Sequence, residues 1–210
     1  MRGKLAAPRD QEPVRYATAL LIIDMVNPLD FPGGERLLPA AFVAARRIAA
    51  FKRRLRAADV PAIYVNDNFG RWELGFRELV DLYRGSSAPG AALLDHIAPE
   101  IGDHFVLKPK HSAFYATSLE VLLVRWGVER LILTGIAGNI CVLFTANDAH
   151  MRDFDLVVPS DTTASESGAD TAWALQQMRR VMKADVRPSK SIRLPNDLVG
   201  RRARARRIAD

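Results

Sequence analysis

Ala19-Leu20-Leu21-Ile22-Ile23 is an unbroken apolar run that stops at Asp24. A strand with one wet face alternates apolar and polar residues. A run without alternation needs cover on both faces, as in a parallel sheet flanked by helices. The pattern recurs in Pro61-Ala62-Ile63-Tyr64-Val65, Phe105-Val106-Leu107, Leu131-Ile132-Leu133-Thr134 and Leu156-Val157-Val158. Helical spacing fills the gaps. Residues 40–56 carry Phe42, Ala45, Ile48, Ala49 and Phe51 on one stripe, after a loop marked by Pro28, Pro32, Gly33 and Gly34. Shorter helical patterns cover 73–83 and 90–97. Thr117 with Glu120 three residues on reads as a capping box, for a helix that Gly127 stops. Further helices are expected over 140–151 and 167–182, and a weak sixth strand near Val186 or Ile192. Strands alternating with helices predict an α/β fold: a three-layer α/β/α arrangement around an open, six-stranded, mostly parallel sheet with helices on both faces.

A chain of 210 residues suits one domain. We bound it at residues 16–195, between a flexible N-terminal arm (1–15, with Pro8 and Pro13) and a basic C-terminal tail (196–210). Arg201, Arg202, Arg204, Arg206 and Arg207 against Asp210 carry +4 of the net +6, so the main body is nearly neutral. No helix-turn-helix, zinc-finger or aromatic-basic RNA signature accompanies the tail, and nucleic acid is not the expected partner. No segment has the apolar length of a membrane span, and the start lacks the apolar core of a signal peptide, so a cytoplasmic protein is expected. The dinucleotide, P-loop and serine-elbow motifs are missing, and no cofactor is expected. The single cysteine, Cys141, excludes an internal disulfide and a multi-cysteine metal site.

In open α/β sheets, ligands bind beyond the carboxyl ends of the strands. Asp24 ends the first strand, Asn66, Asp67 and Asn68 follow the second, and Lys108 ends the third. Cys141 opens the helix after the fourth, and Asp161 follows the fifth, where it reads as the cap of its own turn. Asp24, Lys108 and Cys141 make one chemical set. A thiol near a helix N-terminus and beside a lysine is expected to favour the thiolate. Asp24 is placed to take the thiol proton and return it to a leaving amine, and backbone N–H groups in the turn 136–141 to hold an oxyanion. Each residue taken singly is as readily structural: a strand-end Asp caps turns and a lone Lys lies on the surface.

Ala19-Leu20-Leu21-Ile22-Ile23-Asp24-Met25-Val26-Asn27 resembles the opening motif of the isochorismatase-like cysteine hydrolases. Val106-Leu107-Lys108-Pro109-Lys110-His111-Ser112-Ala113-Phe114 is similar to their lysine motif, and Thr134-Gly135-Ile136-Ala137-Gly138-Asn139-Ile140-Cys141-Val142 to their cysteine motif. The resemblance implies an Asp24–Lys108–Cys141 triad and a cis peptide between Ile136 and Ala137. It also implies an oxyanion hole made by the N–H groups of Ala137 and Cys141, and assembly into dimers or larger homo-oligomers. Nicotinamidases of the family carry an Asp-x-His metal pair after the second strand. Here that stretch is Asp67-Asn68-Phe69, so no metal is expected.

True isochorismatases lack the cysteine. The resemblance therefore implies an amidohydrolase acting through a Cys141 thioester on a small carboxamide, carbamoyl or ureido substrate. An ester or vinyl-ether hydrolase, or a vestigial binding protein on the same scaffold, is the alternative. Asn27, Phe31, Asn68, Arg71, Trp72 and Phe114 are the candidate substrate-binding residues, with Arg71 suited to a carboxylate. Phe114 and Tyr115 read equally as core, Arg71 as surface loop, and His111 as structural. In strand order 3-2-1-4-5, Lys108 lies two strands from Asp24, about 10 Å away at ordinary strand spacing, and must reach inward to join it.

Overall fold

The computed structural model describes residues 14–193. The expected alternation is present. Strand β1 (Thr18–Ile23) is followed by α1 (Gly34–Arg56), β2 (Ala62–Asp67), α2 (Phe76–Arg84), a 3-10 turn and α3 (Leu94–Ile97). Then come β3 (His104–Lys108), α4 (Leu119–Trp126), β4 (Arg130–Ile136), a π-helical turn (Gly138–Val142) running into α5 (Leu143–Met151), β5 (Asp155–Val157), β6 (Thr163–Ala164) and α6 (Gly168–Val181). The sheet order is β3-β2-β1-β4-β5, with β6 also pairing β4, and each of these pairs is parallel.

The unbroken apolar runs are explained by cover on both faces. Every residue of β1 is buried. Leu20, Ile22, Tyr64 and Ile132 point into a core shared with Ala41, Ala45, Ile48 and Phe51 of α1, Leu79 of α2 and Ile97 of α3. Their neighbours Leu21, Ile23, Ile63, Val65, Leu131 and Leu133 point the other way. They meet Leu119 and Leu123 of α4, Ala146 of α5, and Ala174 and Met178 of α6. Residue parity along each strand thus assigns helices to layers.

Several elements depart from expectation. Helix α1 begins at Gly34, six residues early, with Pro39 inside it. Pro39 lacks the N–H that would donate to Glu35 O, and both residues are exposed, where a proline in a helix is tolerated more readily. The sixth strand is not near Val186 or Ile192 but at Thr163–Ala164, against Gly135 and Ile136. Asp185 makes only an isolated bridge to Val157. The Thr117–Glu120 capping box does not form. Thr117 Oγ1 accepts from Leu119 N at 3.2 Å, while Glu120 pairs with Arg152 at 2.9 Å. Gly127 does end α4, in the left-handed region at φ 70°. Asp161 does not cap its own turn. Its two oxygens accept from Ser189 N (2.6 Å) and Ser189 Oγ (2.8 Å), fastening the end of the described chain to the loop before β6.

Among the described residues, no helix is long and apolar enough to cross a membrane. Residues 1–13 of the N-terminal arm and all of the basic tail lie outside the described residues.

Candidate active site

Asp24 is the first residue beyond β1 and adopts a left-handed φ of 53°. Its N–H donates to Val65 O at 2.9 Å, which holds it against β2. Asn66, fully buried in β2, clamps the same loop: its Oδ1 accepts from Val26 N at 3.0 Å and its Nδ2 donates to Val26 O at 2.9 Å. The Asp24 carboxylate then receives Asp67 N on Oδ1 at 2.7 Å and the Lys108 ammonium on Oδ2 at 2.9 Å.

Lys108 spans the gap between β3 and β1. It is fully buried and pairs in register with Asp67 across β3 and β2, so both side chains leave the same face of the sheet. Its Nζ donates to Lys110 O at 3.1 Å and lies 3.7 Å from Asp67 Oδ2 and 3.6 Å from Cys141 Sγ.

Cys141 is half-buried in the π-helical turn ahead of α5. Gly135 brings that turn close. At φ 115°, a Cβ there would sit 2.0 Å from Ile23 O, so only glycine lets the end of β4 close on β1 beside Asp24. The Ile136–Ala137 peptide that follows is cis. Ala137 O accepts from Ile140 N (3.1 Å) and Val142 N (3.2 Å), and Ser165 Oγ accepts from Asn139 N (3.2 Å). The loop carrying Ala137 and Cys141 is therefore fixed at both ends.

Electrostatics correct one expectation. Burial, and next the Asp24 charge, raise the Cys141 thiol above its ordinary value, outweighing Lys108, so the thiol is protonated at rest. Burial likewise raises the Asp24 carboxyl. Lys108 opposes this most, followed by the hydrogen bond from the thiol. Burial disfavours the Lys108 ammonium, but Asp24 and Cys141 together hold it above the ordinary lysine value. The constellation is a buried ion pair with the thiol beside it, 3.6 Å from the Lys108 ammonium.

The other candidates are distributed unevenly. Asn27 and Asn68 are buried, and their Oδ1 atoms accept from Leu29 N (2.9 Å) and Gly70 N (3.1 Å) in their own loops. Phe31 is 40% exposed and Trp72 76%, and exposed Arg71 pairs with Glu73 at 3.7 Å. Phe114 is not an open wall. It is buried in the core, 6.0 Å from the Phe154 ring with the Arg152 guanidinium 4.8 Å from its own centroid. Two residues that sequence reasoning left outside the set stand in it: Asp67, on Lys108, and His111, whose Nδ1 is 3.9 Å from Cys141 Sγ.

The donors here do not fit a metal of the nicotinamidase kind. Phe69 occupies the histidine position with its ring edge-to-face on Tyr83 at 5.7 Å, and Asp67 is engaged by Phe69 N and Lys108. Among the described residues, no three His, Cys, Asp or Glu side chains cluster as metal ligands.

The family described as isochorismatase domain matches residues 18–189. The isochorismatase family protein YaaI of Bacillus subtilis is 40% identical over 174 residues, which cover 83% of this chain and 95% of that one. A ureidoacrylate amidohydrolase of Methylorubrum extorquens is 30% identical over 189 residues, 77% of this chain and 76% of its own. Among solved structures, the N-carbamoylsarcosine amidase of Thermoplasma acidophilum superposes with a TM-score of 0.64 at 26% identity, covering 84% of this chain and 99% of that one.

Proposed function

The chain belongs to the isochorismatase family, and on that basis we propose that it hydrolyses a C–N bond in a small carboxamide, carbamoyl or ureido substrate through a thioester on Cys141. The observation that carries this reading is one ammonium, Lys108 Nζ, held 2.9 Å from a buried carboxylate and 3.6 Å from the only thiol. Two relatives, named as an amidohydrolase and an amidase, support the bond class.

The chemistry follows from the protonation states. Sγ attacks the carbonyl carbon as Asp24 takes the thiol proton, so the thiolate exists only as the C–S bond forms. Lys108 opposes the burial that raises the Asp24 carboxyl and offsets the negative charge passing through sulfur. The carbonyl electron pair moves to oxygen, where the N–H groups of Ala137 and Cys141 receive it. Collapse expels the nitrogen with the proton from Asp24, leaving the thioester. Water then attacks, Asp24 takes its proton, and the second collapse returns that proton to sulfur and releases the acid.

The test is ammonia or amine release from a panel of small amides, carbamoyl compounds and ureido acids, with intact-mass detection of an acyl adduct. Cys141→Ala should lower kcat by about 10⁴ or more. An active enzyme unaffected by that substitution refutes the mechanism.

A further inference from the structure

Cys141 Sγ has two different sides. On the buried side lie Lys108 Nζ at 3.6 Å and the Asp24 carboxylate. On the exposed side lies His111, Nδ1 at 3.9 Å, with its ring 5.4 Å from that of half-exposed Phe144 at the start of α5. Substrate reaches the sulfur from the exposed side. Any group bonded to Sγ therefore projects its substituents along the imidazole and the phenyl ring.

The loop that carries His111 is held in place. Lys110 O accepts from Lys108 Nζ at 3.1 Å on one side of it. On the other, Ser112 Oγ donates to Asp148, Ala113 N donates to Thr145 Oγ1 at 3.0 Å, and Phe114 N donates to Ser112 Oγ at 3.2 Å. The backbone on either side of His111 is thus anchored, which sets where the exposed imidazole leaves the loop. It offers an N–H donor in either protonation state and a positive charge when protonated. The charged groups around it are largely paired with one another. Lys108 and Lys110 flank it on its own loop, the thiol faces it from the cysteine turn, and the α5 carboxylate Asp148 is engaged by Ser112 and Arg152. Asp24 and Asp67 lie behind, on Lys108.

We propose that His111 is a specificity-determining residue that receives an anionic or strongly accepting substituent on the group bound at Cys141, which favours acid-bearing substrates such as ureido and carbamoyl acids over neutral or cationic amides. This rests on Cys141 being the nucleophile, and the test separates the two. Cys141 is alkylated with iodoacetate and with iodoacetamide, which match in size and differ in charge, and the rates are read by mass spectrometry in wild type, His111→Phe and His111→Gln. The ratio of iodoacetate to iodoacetamide rates should fall about fivefold to tenfold in His111→Phe, because a lost donor costs a carboxylate about 1–1.4 kcal/mol more than it costs a neutral amide. His111→Gln, which keeps a side-chain donor at a different reach, should lie between. A purely structural ring would slow both reagents alike. A reactive Cys141 whose ratio is unchanged in His111→Phe overturns the role of His111 and leaves the nucleophile standing. A wild-type Cys141 that neither reagent modifies overturns the nucleophile reading, and this inference with it.

Discussion

Replacing Lys108 by Met removes the ammonium while nearly preserving side-chain length. Lys108 is fully buried and Asp24 is 5% exposed, so the substitution strands a carboxylate in the interior. Breaking a buried pair by deleting one partner costs about 3–5 kcal/mol, against a total stability of about 5–15 kcal/mol for an ordinary domain. The carboxylate has one escape, which is to bind a proton. Burial already holds Asp24 above the ordinary range with Lys108 present, and without Lys108 it rises further. An acid whose folded pKa exceeds its unfolded value contributes full stability below about pH 3.9. That contribution falls by about 1.4 kcal/mol per pH unit as pH rises towards the folded value. Because Asp24 is already raised in wild type, the extra loss in Lys108→Met is smaller near pH 5 than near pH 8, and it is at most about 3–5 kcal/mol. Urea unfolding of wild type, Lys108→Met and Asp24→Asn/Lys108→Met at both pH values measures it. The double variant leaves no stranded charge and should return to within about 1 kcal/mol of wild type at the higher pH. An equal loss at both pH values, or a double variant no better than the single, refutes the reasoning.

Asp67→Asn should lower kcat/KM no more than about fivefold, because a partly exposed pair at 3.7 Å is worth under about 1 kcal/mol. A hundredfold fall in steady-state assays would mean that Asp67 itself carries a proton. Gly135→Ala places a Cβ 2.0 Å from Ile23 O at φ 115° and should cost more than about 2 kcal/mol. A thermal melt identical to wild type would show that the β1–β4 contact is looser than described.

Layering was legible because burial on both faces writes itself as unbroken apolar runs, and strand order placed Asp24, Lys108 and Cys141 at one edge. What escaped depended on short or non-local features. Thr163–Ala164 is a two-residue strand whose pairing is set by the end of β4, too brief for any periodicity. Helix α1 hid its first turn behind Gly33 and Gly34, which read as a loop, and it carries Pro39 within it. The inward reach of Lys108 follows from the Asp67–Lys108 register, which no single segment encodes. A signal for that existed: Asn66-Asp67-Asn68 is a polar cluster directly after an apolar strand, and its members clamp the loop after β1, the Asp24 carboxylate and their own turn. His111 met the thiol through the path of a loop, which composition does not fix.

The backbone at Asp24 limits what this scaffold can become. At φ 53° the residue lies in a region that aspartate and asparagine enter more readily than longer side chains. Glutamate would have to accept that conformation and fit an extra methylene beneath Lys108. Lengthening Asp24 to reach a larger substrate therefore carries both a backbone and a packing cost. New specificity has to come from the loops around a base of fixed length, and variation among descendants of this fold should collect at positions such as Phe31, Phe69, Arg71 and His111 rather than at the carboxylate.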